Sequence, residues 1–251
     1  MSRQRHVPYL AGAVFSFVLG ITQGIWLRQF FSQTNMSLYI YVGLQELFVI
    51  GIPAFLLISR RKDIFRPLFK KPDVWSVGLV SLAAVSFSLA AILISIIWIL
   101  LLQGLRINLP LPSDLPKAES IFELGMAIFL AAFIPAVSEE MMFRGLLLTY
   151  LNKRIGQRKA AILSAFIFAL LHFSVHGFAA LFVIGLFLSR IVNRYQSLWL
   201  AIVFHALYNS VVIVLQSLGS LPSVQFIFLC MGIYLAVCYL LFHKKEASVW
   251  N

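Results

Sequence analysis

The sequence predicts an all-α bundle of about eight membrane-spanning helices, with both termini in the cytoplasm. Three observations predict this fold class: the composition, the length of the apolar segments and the placement of the basic residues. Of the 251 residues, 61% are hydrophobic and 12% are charged, whereas a soluble domain carries roughly 25% charged residues. The length is that of one transmembrane domain over residues 1–251 rather than of several domains.

Eight apolar segments are long enough, or nearly so, to cross a bilayer as helices. They lie near residues 8–27, 38–59, 75–103, 121–151, 160–175, 177–189, 197–216 and 223–242. The first follows a short basic stretch and has no clear small-residue cleavage site after it, so we expect an uncleaved span. His176 and Gly177 supply the turn signal between the fifth and sixth segments.

The basic residues alternate with this topology. When the N-terminus is placed inside, all but four of the 20 Lys and Arg fall in cytoplasmic segments, as the positive-inside rule requires. The exceptions are Arg28, Arg106 and Lys117 in outer loops and Arg144 within a span. Topology therefore explains the net charge of +11, and we expect no nucleic-acid partner. The loop at residues 59–73 is strongly basic. Topology alone explains its charge, and contact of the loop with anionic lipid headgroups is the alternative explanation.

Two adjacent glutamates, Glu139 and Glu140, lie inside the fourth apolar segment. Carboxylates are costly in lipid, and those found there usually mark function. Arg144 is four residues after Glu140, so the two side chains share a helix face and are within ion-pair reach. Glu139 points about 100° away. Without a direct cation, it is suited to act as a general base.

Further polar residues occur in other spans: Glu46 in the second, His172 in the fifth, and His205 with Asn209 in the seventh. At 1.5 Å per residue, the glutamate pair and His172 lie about 18–20 Å from the cytoplasmic ends of their helices. His205 and Asn209 lie about 12 and 18 Å deep by the same measure. These side chains are therefore expected to converge on one layer. Two roles stay open for Glu46, which either lines the cavity or hydrogen-bonds another helix.

Three ordered motifs carry a family resemblance. They are Glu139-Glu140-Met-Met-Phe-Arg144, Phe168-Ala-Leu-Leu-His172 and His205-Ala-Leu-Tyr-Asn209. They resemble the patterns E-E-x-x-x-R, F-x-x-x-H and H-x-x-x-N or D of the CPBP family. That family contains the type II CAAX prenyl proteases and bacterial bacteriocin-processing and abortive-infection proteins. The resemblance covers about residues 120–215, the motif-bearing core.

The resemblance implies an intramembrane endopeptidase that hydrolyses peptide bonds of membrane-associated substrates. The candidate catalytic residues are Glu139, Glu140, His172, His205 and Asn209, and the site-ordering residues are Arg144 and Phe168. Among them, Glu139 and His172 would activate the hydrolytic water. His205 and Asn209 would donate hydrogen bonds to the tetrahedral oxyanion.

The partners expected from this resemblance are a membrane peptide or protein, with or without a lipid group, and the lipid bilayer itself. We expect a multi-pass protein of the plasma membrane of a bacterium, with its active site open to the cytoplasm. No recognition element for a particular substrate can be read from the chain.

Three alternatives remain at this stage. In a zinc-dependent version of the same protease, Glu139, His172 and His205 would ligate Zn²⁺ and leave one position for water. The sequence has no H-E-x-x-H motif, and Arg144 lessens the need for another cation, so no cofactor is expected. The second alternative is a non-catalytic membrane regulator or immunity protein. The third is a proton-coupled transporter, although no internal repeat of the kind common in transporters is present.

Overall fold

A computed structural model describes residues 34–107 and 117–243, and every regular element within these ranges is a helix. The helices are α1 (Asn35–Ser59), α2 (Lys62–Phe65), α3 (Val74–Gly104), α4 (Ile121–Ile155), α5 (Gln157–Leu171), α6 (Phe178–Tyr195), α7 (Leu198–Leu218) and α8 (Val224–His243). A single 3₁₀ turn, Arg66–Leu68, follows α2.

Six of these helices are long and apolar enough to cross a membrane: α1, α3, α4, α6, α7 and α8. The predicted fifth span is the shorter helix α5, whose 15 residues extend about 22 Å. The predicted first span, near 8–27, lies outside the described residues, as do both termini. The described part of the chain therefore contains an all-helical bundle with six candidate spans.

The boundary between the fifth and sixth segments differs from the predicted one. The predicted helix continued to residue 175, but α5 ends at Leu171. Phe173 has a φ of 49°, which is a left-handed conformation that an α-helix cannot include. The chain then turns, and α6 begins at Phe178, directly after the predicted turn signal.

The sixth span was predicted to end near residue 189, and this boundary was wrong. The helix runs past residue 189 to Tyr195 because its polar residues have partners on neighbouring helices. Asn152 Nδ2 on α4 donates to Asn193 Oδ1 at 2.7 Å. Arg194 donates to the Phe242 carbonyl of α8 at 3.3 Å. Tertiary contacts thus keep this polar stretch helical.

Prolines widen two of the long helices without ending them. Turns of π-helix at Glu46–Gly51 and Phe129–Phe133 precede Pro53 and Pro135. A proline lacks an N–H and its ring crowds the preceding turn, and a wide turn accommodates both effects. A third wide turn, Met141–Leu148, begins directly after the glutamate pair. All three lie in α1 and α4, the helices that flank the polar layer.

Two glycines allow pairs of helices to approach each other closely. A Cβ on Gly51 would lie 2.5 Å from Ser138 Oγ, and one on Gly185 would lie 2.8 Å from the Ala165 Cα. Small residues at such crossings are typical of membrane bundles. These contacts bring α1 against α4 and α6 against α5, beside the residues of the three motifs.

An aromatic cluster forms the apolar core on the other side of the bundle. Phe87 of α3 contacts Tyr234 of α8, with ring centroids 4.8 Å apart, and Phe204 of α7 at 6.2 Å. Phe187 of α6 contacts Phe204 at 4.6 Å. Aromatic pairs at these separations add roughly 0.5–1.5 kcal/mol each beyond their burial. The cluster holds α6 and α7 in register with α3, and so fixes the helix that carries His205.

Candidate active site

Glu140, Arg144 and His205 form a buried charged network between α4 and α7. Glu140 Oε1 accepts a hydrogen bond from Arg144 Nη1 at 2.7 Å, and the side chains of both residues are fully buried. The same oxygen lies 2.9 Å from His205 Nδ1. Because a carboxylate oxygen accepts, the Nδ1 of this ring carries a proton and donates. Glu140 therefore links the first motif to the third.

Other groups on α5 and α6 hold the Arg144 guanidinium in place. Its Cζ lies 4.3 Å from the centroid of the Phe168 ring, a cation–π distance. Its Nη2 donates to the Gly185 carbonyl at 3.5 Å. The close approach of α6 at Gly185 brings that carbonyl within reach. The i,i+4 contact predicted between Glu140 and Arg144 is thus one part of a network that spans four helices.

Phe168 contacts residues of all three motifs. Its ring centroid lies 4.5 Å from that of His172 and 5.8 Å from that of His205. It also packs edge-to-face on Phe143 at 5.2 Å. The side chain is fully buried. Phe168 therefore forms the apolar wall between the two histidines.

Glu139 and His172 form a second, more open pair. His172 Nδ1 lies 2.7 Å from the Phe168 carbonyl oxygen, which can only accept, so Nδ1 donates. The other nitrogen, Nε2, then faces Glu139 Oε2 at 3.6 Å. That oxygen is buried and has no hydrogen-bond partner among the described residues. Two acceptor atoms thus face one another without a proton between them for a direct hydrogen bond.

Exposure separates the two pairs. The His172 side chain is 28% exposed and that of Glu139 is 11% exposed, while the Glu140 side chain is fully buried and that of His205 is 4% exposed. His172 directly follows the last residue of α5 and therefore sits at a helix end. Of the two pairs, Glu139–His172 is therefore the more exposed, mainly through the His172 ring.

Glu46 lies near this pair, on the wide turn of α1. Its carboxylate interacts electrostatically with that of Glu139. Its Oε2 is buried and, within the described residues, forms no hydrogen bond. This position places Glu46 beside the Glu139–His172 pair. No hydrogen bond from this oxygen to another helix occurs in the described part of the chain.

Asn209 lies one turn after His205 on α7 and is half-buried. Within residues 34–107 and 117–243, its side chain forms no hydrogen bond, and no contact joins it to the glutamates. The structure therefore brings Glu139, Glu140, His172 and His205 together and leaves Asn209 beside them on a shared helix face.

The donor atoms fall into two pairs rather than one cluster. Across the described ranges, no group of three or more His, Cys, Asp and Glu side chains is arranged to hold a metal ion. Of the three residues considered as zinc ligands, His205 donates to Glu140, whereas Glu139 and His172 face each other.

Several residues that shape the site were not predicted from the sequence. Gly185 accepts from Arg144 through its carbonyl, and Gly51 allows α1 to contact Ser138, the neighbour of Glu139. Glycines inside apolar segments are a signal for close helix contacts. The signal does not tell which helix approaches.

Comparison with known proteins bears on the same region. Residues 121–211 match the family model described as type II CAAX prenyl endopeptidase Rce1-like. This range contains all three motifs, so the family resemblance is confirmed for this part of the chain. The match implies a CAAX-type intramembrane endopeptidase, and the six apolar helices agree with an integral membrane protein. No curated protein sequence matches the chain.

Proposed function

We propose that the protein hydrolyses peptide bonds of membrane-associated peptides or proteins with a water molecule activated by Glu139 and His172. The 3.6 Å separation of Glu139 Oε2 and His172 Nε2 carries this proposal. Both atoms are acceptors, and one water can donate a hydrogen to each. Its lone pair is then directed away from them, toward a substrate carbonyl. Glu139 accepts the proton of that water and later delivers it to the leaving amine.

His205 and Asn209 stabilise the oxyanion in this proposal. His205 Nδ1–H is already committed to Glu140, so the ring donates to an oxyanion only through a protonated Nε2. Asn209, on the same helix face, supplies the second donor through its amide. Donors of this kind contribute roughly a factor of 10²–10³ each to the rate.

The short helix α5 supports access of water to this site. At about 22 Å, α5 is shorter than the roughly 30 Å hydrocarbon layer, so its end at His172 lies within the membrane. Irregular backbone at that depth is tolerated where it is covered by protein or lines a water-filled cavity. The exposure of His172 favours the cavity. We further propose that the protein has about eight spans and that this cavity opens to the cytoplasm of a bacterial cell.

Cleavage by the purified protein tests this function. A peptide set with and without a C-terminal prenyl group is incubated with the wild type and with Glu139→Gln, each with and without a chelator. We expect cleavage by the wild type in both conditions and at least a 100-fold loss in Glu139→Gln. Cleavage that stops with chelator and returns with Zn²⁺ would favour the zinc-dependent version instead.

Glu123→Gln is the matched control, because Glu123 lies at the start of the same helix and accepts from the Glu119 backbone N–H. This variant should cleave as fast as the wild type. Normal cleavage by Glu139→Gln would exclude the proposed base. If no peptide is cleaved, substrate flux into proteoliposomes and a cellular phenotype retained in Glu139→Ala would point to the transporter and the regulator, respectively.

A further inference from the structure

A cavity of about 990 Å³ lies between the segment after α1 and the C-terminal end of α6. Its lining includes Lys62, Arg66, Lys70 and Arg194. The Ser197 hydroxyl donates to the Lys70 carbonyl at 2.8 Å and ties the segment to the start of α7. The cavity is therefore built from several elements at one end of the bundle.

The cavity carries an excess of positive charge. Lys62, Arg66 and Lys70 are exposed and form no ion pair within the described residues. The one acidic residue in the lining, Asp63, accepts from Arg61 at 3.3 Å. This hydrogen bond lowers the pKa of Asp63, which keeps it ionised and compensated by its own arginine. The three other cations thus have no local counter-charge.

Exposed tryptophans indicate that this end of the bundle lies at the level of the lipid headgroups. Trp75 and Trp199 lie in the first turns of α3 and α7 and are 66% and 47% exposed. Phe69, which also lines the cavity, packs edge-to-face on Trp199 with ring centroids 6.2 Å apart. Tryptophan is enriched where a membrane meets water. Lipid phosphate groups supply negative charge at this level of a membrane.

We infer that this cavity binds the phosphate of an anionic phospholipid headgroup. Lys62, Arg66 and Lys70 supply the charge, and the arginine fork can donate two parallel hydrogen bonds to phosphate oxygens. The volume is within the range of about 300–1,000 Å³ that is usual for small-ligand sites. The site is separate from the hydrolytic residues, because His205 lies about 12 Å along α7 from Ser197. It stands independently of the proposed activity.

Native mass spectrometry of the full chain tests this inference, with phosphatidylglycerol and phosphatidylcholine as probes. The wild type should retain phosphatidylglycerol in preference. The triple variant Lys62→Gln, Arg66→Gln, Lys70→Gln should bind it about 100-fold more weakly, since each cation contributes roughly fivefold. Arg66→Gln alone should lose about fivefold, which keeps the test valid if the triple variant unfolds.

The matched control removes three exposed cations from the last turn of α4 and the first turn of α5: Lys153→Gln, Arg158→Gln and Lys159→Gln. It carries the same change in charge outside the cavity and should bind phosphatidylglycerol as the wild type does. Equal losses in the two triple variants would mean a diffuse basic surface and would overturn the site. No loss in either variant would overturn it as well. Competition by inorganic phosphate, with no need for acyl chains, would identify a soluble ligand instead.

Discussion

The two adjacent glutamates of α4 have opposite surroundings. Glu140 is fully buried, and one of its oxygens accepts from both Arg144 and His205. Glu139 keeps a buried oxygen without a hydrogen-bond partner among the described residues, facing a partly exposed His172. Neighbouring positions of a helix point about 100° apart. One turn therefore carries one carboxylate that is held in ion pairs and another that has an acceptor oxygen without a partner among the described residues.

The energetic reason for this division is desolvation. A charge taken out of water is tolerated when ion pairing and hydrogen bonds offset the loss, and removing one partner exposes the full penalty. Glu140 meets that condition through Arg144 and His205. Glu139 remains less completely compensated, and it is the residue that we propose as the base. Substitution of Glu140 should therefore lower stability, whereas substitution of Glu139 should lower the rate of cleavage.

The largest expected effect comes from neutralising each glutamate in turn. Glu140→Gln leaves the buried Arg144 without its carboxylate and should destabilise the protein by roughly 3–5 kcal/mol. Accumulation in the membrane and thermal unfolding in detergent measure this loss. Glu139→Gln should accumulate normally while cleavage falls by at least 100-fold. Similar stability losses in both variants would contradict the division of roles.

A double variant sharpens the same comparison. Arg144→Met combined with Glu140→Gln removes both charges and places a flexible apolar side chain beside Phe168. Replacement of a buried ion pair by apolar packing is often neutral for stability. The double variant should therefore unfold at a higher temperature than Glu140→Gln alone. An unfolding temperature equal to that of the single variant would show that the ion pair is not the source of the loss.

A smaller effect is expected at Asn209, the residue next to both pairs. Asn209→Ala should lower kcat by about 10²–10³-fold with little change in KM, because an oxyanion donor acts in the transition state. Ser210→Ala is the neighbouring control, since the Ser210 hydroxyl donates to the Ala206 carbonyl of its own helix. Equal kcat values for the two variants would remove Asn209 from the mechanism.

The smallest expected effect is a change in stability at a residue outside both pairs. Asp73 caps α3 by accepting from the Ser76 backbone N–H and hydroxyl at 2.9 and 2.7 Å. Asp73→Ala should cost about 1 kcal/mol, measured by thermal unfolding near neutral pH. The Ser76 hydrogen bonds lower the pKa of Asp73. The stabilisation is therefore present above its unfolded pKa and is lost as pH falls through the lowered folded pKa. A free-energy cost of Asp73→Ala that grew as the pH was lowered would contradict this predicted pH dependence.

Local spacing was enough to predict part of the site. The four-residue step from Glu140 to Arg144 follows from helix geometry, and the ion pair is present. Depth along each helix was enough to expect His172 and His205 near the glutamates. The partner of each histidine could not be predicted, because rotation about a helix axis depends on its neighbours. The proximity of Glu46 to Glu139 and the contact of the Gly185 carbonyl with Arg144 were beyond prediction for the same reason.

The boundaries of the helices were also limited in how well the sequence could predict them. The end of α5 at Leu171 depends on the left-handed Phe173, and the extension of α6 depends on contacts from Asn193 and Arg194 to α4 and α8. Composition alone determined that the chain is a helical membrane protein, because lipid offers the backbone few other ways to satisfy its hydrogen bonds. Motif order alone pointed to the family. Only the tertiary structure decided which histidine faces which glutamate, since that depends on how α5 and α7 are rotated against α4.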